Sequence, residues 1–397
     1  MDVFSHLLEL NDLAREHGHK YPKKRTIFSG LIADTGKHFI GVVGPRGVGK
    51  TVILRQVLVA LEDAFYLSAD TMRGESLFET GRILHDRYGI NTLLVDEIHF
   101  QPRFDAELKK LFDFVDMKVI FSSSVALAMH SSTYDLARRV RLEHLYPFSF
   151  GEYVEFVKGT SLPSLSLDDI YEERFTAAHL RTGYMFSEYL QGGLYPFSLE
   201  EVAVLPLLRN ILHKVISRDV PSVSGLSYEE QVAIERLVRF VGRSGIDGIN
   251  YSSVSRNIGI TKYKAQAYIA LLEQAYILNP VFPVGANVMR EPKVMMYLPY
   301  RLLFQELPMA LGGLREDFVA ETLRLRGERF TYLKTRRGAK TPDFLVTTEE
   351  GDMIIEVGGR GKGRSQFKGV TVDRKMILSD RDEVRGYHRP MFLLGYV

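Results

Sequence analysis

One eight-residue run constrains this chain more than any other feature of its 397 residues: Gly44-Pro45-Arg46-Gly47-Val48-Gly49-Lys50-Thr51. It fills every fixed position of the pattern G-x-x-x-x-G-K-[ST]. The residues before it, HFIGVV at 38–43, are apolar and β-branched enough for an interior strand. The residues after it, VILRQVLVAL, carry the apolar spacing of a helix. A strand, a glycine turn and a helix in that order form a phosphate cradle. The glycines let backbone N–H groups turn inward around phosphate oxygens, and the helix beginning near Lys50 adds its positive dipole end. In such a cradle Lys50 reaches the β- and γ-phosphates and the Thr51 hydroxyl ligates Mg²⁺. Residues 44–51 are therefore expected to bind ATP with Mg²⁺.

A second acidic strand has to accompany such a loop. Leu93-Leu94-Val95 is apolar and leads into Asp96 and Glu97. Asp96 would hold Mg²⁺ through water, and Glu97 would polarise the attacking water. Adjacent acids favour a hydrolysing ATPase over a GTPase switch or a small-molecule kinase. The next apolar stretch, MKVIFSSSVAL, ends in hydroxyls. Ser122 or Ser124 is placed to sense the γ-phosphate, and a plain turn of the chain is the alternative. Arg138, Arg139 and Arg141 follow closely. One of them acts as an arginine finger on a neighbouring subunit of a homo-oligomer, or all three make surface salt bridges.

With GPRGVGKT, LLVDEI, the serine strand end, LARR and YPFSFGEY in this order, the chain resembles a family of AAA+-like ATPases predicted in archaea and bacteria. In that family a P-loop domain precedes a second domain of unknown function. Arg139 matches the family arginine, and Arg138 replaces the usual glycine. Ser122-Ser123-Ser124 departs from a Thr-Gly-Ser-Ser-like strand end. Tyr189, Leu190, Gly192, Gly193 and Pro196 match a Tyr-Leu-x-x-Gly-Gly-x-Pro stretch. The resemblance implies a catalytic set of Lys50, Glu97, Ser122 and Arg139, and it spans essentially the whole chain.

Length and composition bound the rest. A chain of 397 residues is too long for one core. With no cysteine, disulfides, thiolate metal sites and a cysteine nucleophile are excluded. No apolar run reaches the ~18 residues of a membrane helix. The N-terminal stretch lacks the basic start and apolar centre of a signal peptide, so the expected compartment is the cytoplasm. Net charge is only +2, but Lys and Arg outnumber Asp and Glu from Arg324 to Lys375. That basic block permits a nucleic-acid partner or a solvated surface.

The expected fold class is α/β: a P-loop NTPase core at 1–150, a helical lid at 151–225, a winged helix at 226–295, and a restriction-endonuclease-like α/β domain at 296–397. Gly192-Gly193 marks a tight turn in the lid. Residues 249–278 read as helix, turn at Gly259, and a longer helix whose apolar face is Ala267, Ile269, Ala270, Leu271, Leu272 and Tyr276. Residues 281–299 would give the wing strands. The last region resembles the PD-(D/E)xK nuclease fold, with Glu316 on a helix and Asp343 and Glu356 on adjacent strand ends. The lysine such a site needs two residues after the glutamate is Gly358 here. Lys362, in the glycine-rich run GGRGKG that reads as a flexible loop, and Lys340 are the other donor candidates. The implied site is therefore a vestige that binds nucleic acid without cutting it, or a structural or protein-binding element; the alternatives are an ATP-gated metal-dependent nuclease and a nucleotide-dependent DNA-binding regulator with little turnover.

Overall fold

We describe a computed structural model. It describes residues 3–72, 74–124, 136, 138–245, 248–285, 291–333, 342–358, 367, 371–380 and 384–396. Lys340, Lys362 and most of the two basic loops at 334–340 and 360–368 fall outside them. The chain divides into two compact units. One comprises residues 1–147 together with 217–225, and the other residues 148–216 together with 226–397.

The first unit is built on five parallel strands: β1 (Phe39–Val43), β2 (Ala64–Ser68), β3 (Thr92–Asp96), β4 (Lys118–Ser123) and β5 (Val140–His144). Their spatial order is β2-β3-β4-β1-β5, so β4 is inserted between β1 and β3. That insertion sets β4 between the glycine loop that follows β1 and the acids that end β3. β1 and β3 are buried along their whole length, which explains their near-continuous apolar sequences. Among the described residues, helices α1 (Val3–His19), α2 (Ile27–Ala33), α3 (Lys50–Ala60), α4 (Leu77–Tyr88) and α5 (Phe104–Phe114) accompany the sheet. α3 buries Ile53, Leu54, Val57 and Leu58, the stripe its spacing dictates.

α1 treats β2 as a partner. On one face of the helix, Asn11 and Arg15 stand four residues apart. The Asn11 side-chain oxygen accepts from the Tyr66 backbone N–H at 2.9 Å, and Arg15 donates to the Ala64 carbonyl at 3.3 Å. β2 is an outer strand of the sheet, and these two side chains satisfy groups that a further strand would otherwise meet.

In the second unit, α6 (Phe150–Lys158), α7 (Val204–Lys214), α8 (Tyr228–Arg243), α9 (Tyr251–Ile258) and α10 (Lys262–Gln274) precede a two-stranded antiparallel hairpin of β6 (Leu278–Val281) and β7 (Lys293–Met296). Helix α11 (Leu307–Leu325) then leads into β8 (Arg329–Tyr332), β9 (Phe344–Thr348), β10 (Gly351–Gly358), β11 (Arg374–Ser379) and β12 (His388–Pro390). These five form a mixed sheet, antiparallel from β8 to β10 and parallel from β10 to β12. The helical stretch expected as a lid shares its core with this region. Phe150 and Phe186 meet edge to face at 5.5 Å, Phe186 meets Phe318 of α11 at 4.9 Å, and Phe150 meets Tyr396 at 5.7 Å.

α9 and α10 are joined at Gly259, which takes φ 76°, as the sequence led one to expect. Of the expected apolar face, Ile269, Leu272 and Tyr276 are buried, but the buried face of α10 is centred differently. It is Ala265, Tyr268, Ile269 and Leu272, while Ala267 and Ala270 are exposed. Small alanines give little preference to either face, and the large Tyr268 settles the rotation. Inside the unit, Arg301 makes a two-pronged pair with Asp317 of α11, at 2.7 and 3.1 Å, and both are buried. Gly313 makes room for it, since a Cβ there would lie 2.6 Å from the Arg301 Nε.

Candidate nucleotide site

The loop 44–49 owes its path to two backbone requirements. Gly47 and Gly49 take φ values of 85° and 91°, in the region where a Cβ clashes. At Gly44 the reason is proximity: a Cβ would sit 1.9 Å from the Leu145 carbonyl oxygen at the end of β5. Gly49 caps α3, and the Ile53 N–H donates to its carbonyl at 2.9 Å. Arg25 braces the loop from outside, donating to the carbonyls of Val48 (3.3 Å) and Tyr146 (3.0 Å).

Lys50 is buried, and its ammonium donates to the carbonyls of Gly44 at 2.7 Å and Pro45 at 2.8 Å. Burial holds its pKa below the ordinary lysine value against the pull of Glu97 and Asp96. The Thr51 hydroxyl donates to Asp96 at 2.7 Å. Asp96 accepts two further hydroxyls, from Tyr66 at 2.8 Å and from Ser122. The parallel register brings these groups together from β1, β2, β3 and β4. The donor set fits a magnesium nucleotide. A hydroxyl and a carboxylate, both hard oxygen donors, already face each other where the ion would sit. A lysine and a helix N-terminus stand beside them for the phosphates.

Glu97 follows Asp96 in a left-handed backbone conformation, φ 50°. Its N–H donates to the Ser122 Oγ at 2.9 Å, so Ser122 joins the backbone of Glu97 to the carboxylate of Asp96. Ser122 is fully buried and committed to these two partners. The Glu97 carboxylate lies 3.5 Å from Arg46 and 3.4 Å from the His99 Nδ1. Burial raises its pKa, but Lys50, His99, Arg46 and the Ser124 hydroxyl together hold it below the usual glutamate value. Burial keeps His99 below the ordinary imidazole range, which favours its neutral form, and Ser123 lies 3.2 Å from its Nδ1.

Three members of this site carry no motif. Tyr66, His99 and Asp219 enter through the fold alone. Asp219 is fully buried and grips Arg46 with both oxygens. A tyrosine alternating within an apolar strand was the only available signal for Tyr66. Nothing local marks Asp219.

Arg139 stands elsewhere. It precedes β5, and its carbonyl accepts from Phe39 at the start of β1. The glycine loop leaves the other end of β1, roughly 15 Å away along a five-residue strand. Arg139 is thus out of reach of the phosphate site of its own chain. It pairs with Asp113 at 3.0 Å and lies over Phe112. Arg141 pairs with Asp34 and Glu143.

In the C-terminal sheet, Asp343 and Glu356 are neighbours across β9 and β10, next in register after Phe344 and Ile355. One Asp343 oxygen accepts from the Val357 backbone at 2.8 Å, and Glu316 pairs with Lys293 at 2.8 Å. The expected three-acid cluster is not assembled: among the described residues, no group of three or more acidic or histidine side chains stands together to hold a metal. Gly358 ends β10 beside Ser379. No described helix is long and apolar enough to cross a membrane.

Residues 36–154 match the model of the AAA domain, and residues 184–297 match that of a domain of unknown function (DUF8612). An uncharacterized protein of Methanocaldococcus jannaschii is 26% identical over 439 residues, covering 96% of this chain and 92% of that protein. Among solved structures, the Thermotoga maritima RuvB Holliday junction branch migration motor is 13% identical, covering 72% of this chain and 91% of its own, with a TM-score of 0.27. The Aeropyrum pernix ORC1 protein in complex with DNA is 14% identical, covering 78% of this chain and 92% of its own, with a TM-score of 0.29. The stretch that matches the AAA-domain model lies mostly in the first unit and includes all five strands of its parallel sheet together with the glycine loop.

Proposed function

We propose that the chain is an Mg²⁺-dependent ATPase in which ATP binding and hydrolysis drive or gate the engagement of DNA or a protein partner by the C-terminal half. The observation that carries the reading is the meeting of the Thr51 hydroxyl and Asp96 at 2.7 Å, with Lys50 on one side and Glu97 one residue on. When bound, magnesium ATP supplies an electrophilic terminal phosphoryl group. Thr51 and, through water, Asp96 would hold the ion, and Gly44 to Thr51 would cradle the phosphates. Lys50 leaves its own loop carbonyls for phosphate oxygens. Glu97 accepts a hydrogen bond from the attacking water and orients it. Ser122 keeps Asp96 and Glu97 in fixed relation. Arg139 acts, in this reading, only on a neighbouring subunit.

Residues 226–295 serve as a winged helix and residues 296–397 as a nuclease-like module whose acids Glu316, Asp343 and Glu356 no longer cut. The cations at the start of α10 are engaged within the unit, Lys264 with Glu230 at 3.3 Å and Lys262 with Glu291. That leaves DNA and protein as the two partner classes to be separated by experiment. The test is ATP turnover by wild type and Glu97→Gln, each with and without duplex and single-stranded DNA. Turnover lost in Glu97→Gln and altered by DNA supports an ATPase coupled to nucleic acid. Turnover indifferent to DNA assigns the C-terminal half to a protein partner. Nucleotide binding without turnover overturns the hydrolytic reading.

A further inference from the structure

We propose that Asp219 is a positioning residue for Glu97 and acts through Arg46. The inference rests on the ATPase reading above and adds to it a residue far away in sequence. Asp219 takes the Nε and Nη2 edge of the Arg46 guanidinium, the Nη2 contact measuring 2.7 Å. Only Nη1 remains towards Glu97, and it lies 3.5 Å from Oε1. A guanidinium holds a carboxylate most firmly when one edge delivers two parallel N–H groups. Asp219 has that edge, so Glu97 is left with a single long contact.

This division of Arg46 matters because the backbone of Glu97 is already fixed while its carboxylate is held only loosely. Its backbone is pinned by Ser122, and its second oxygen stands 3.4 Å from His99. The hold of Arg46 therefore decides whether the carboxylate is available to water or closed in an ion pair. Arg218, next to Asp219, lies over the Phe100 ring at 4.3 Å, just beyond Glu97 in the chain. The segment 217–225 thus grips both the loop arginine and the turn that carries the glutamate. Both ends of the segment continue into the second unit. Partner engagement there has a covalent route to Glu97.

Full-length protein tests this with Asp219→Asn, Arg46→Gln with Asp219→Asn, and Glu97→Gln in wild-type and Asp219→Asn backgrounds. In Asp219→Asn, Arg46 closes on Glu97. The expected result is a kcat lower by about 10-fold or more, with KM and fluorescent-nucleotide affinity changed by less than about 2-fold. The double variant turns over faster than Asp219→Asn alone. Without nucleotide, Glu97→Gln lowers the melting temperature more in the Asp219→Asn background than in wild type, because it removes the newly formed pair. An unchanged kcat in Asp219→Asn, or a double variant slower than it, overturns the proposal. So does an equal melting shift in the two backgrounds. If Asp219→Asn does not fold, Asp219→Glu takes its place. There the longer side chain pushes the guanidinium towards Glu97, kcat falls, and Arg46→Gln restores part of it; no fall overturns the proposal. Absence of turnover in wild type refutes the ATPase reading itself and is distinct from all of these.

Discussion

Glu321 is a carboxyl group in the wrong solvent, and its replacement by glutamine makes a quantitative prediction. It lies on the buried side of α11, and its Oε2 accepts from the Leu298 backbone at 2.7 Å. Burial pushes its pKa from the ordinary 4.5 up to about 8; the Leu298 N–H pulls it down, and the charge of Asp317 nearby pushes it further up. A group raised in this way binds its proton more tightly in the folded chain than in the unfolded one. Below the unfolded value both states are protonated and nothing is lost. As pH rises from about 4.5 to about 8, the unfolded chain ionises freely while the folded one cannot, and stability falls across that window. At 1.36 kcal/mol per pKa unit, the loss is roughly 3–5 kcal/mol once pH exceeds the folded value. Glutamine keeps an acceptor for Leu298 and has no proton to lose. The assay is thermal unfolding of wild type and Glu321→Gln from pH 5 to pH 9. The two should melt close together at pH 5 and separate by roughly 10 °C at pH 9, with the variant higher. Parallel curves with a constant offset would show that Glu321 ionises as it does in water, and the argument from burial would fail.

Three further outcomes follow from geometry. Tyr66→Phe removes one of the hydroxyls on Asp96 and should weaken Mg²⁺-dependent nucleotide binding about 10-fold, read by titrating Mg²⁺ against a fluorescent nucleotide, while Mg²⁺-free binding stays as it was. Arg301→Met leaves Asp317 buried without its cation and should cost about 3–5 kcal/mol in thermal unfolding, whereas Arg301→Met with Asp317→Asn, which drops the charge and keeps an acceptor for the Met296 N–H, recovers part of that loss; equal damage in both would refute the pairing. Gly44→Ala sets a methyl against the Leu145 carbonyl and should destabilise the first unit by about 3 kcal/mol or more, so a soluble variant with wild-type melting would contradict the close approach.

The candidate nucleotide site was readable where chemistry fixes spacing along the chain. Left-handed backbone at Gly47 and Gly49, a lysine at the helix start and a hydroxyl after it must occupy set positions, and an acid pair must end an apolar strand. These demands are local, so they leave a pattern. The order of the strands, which brings Ser122 against Asp96 and the Glu97 backbone, is a tertiary fact, yet the serine itself was visible at its strand end. Asp219 was not, because a contact between residues 46 and 219 leaves no periodicity to detect. The face of α10 was right at Ile269, Leu272 and Tyr276 and wrong at Ala267 and Ala270, which count as apolar in a pattern while contributing little area to a core. The placement of Arg139 at the far end of β1 likewise depends on β5 lying parallel beside it, which sequence does not state.

The pairing of Asn11 and Arg15 with β2 has a practical side. An outer strand whose N–H and C=O groups are uncovered is a template for another strand. α1 acts as a guard over that template, by imitating with two side chains what a neighbouring backbone would offer. A version of the first unit lacking residues 3–19 would present β2 to other copies of itself. Self-association through that strand would then be read as an oligomer, although the intact chain keeps the strand covered.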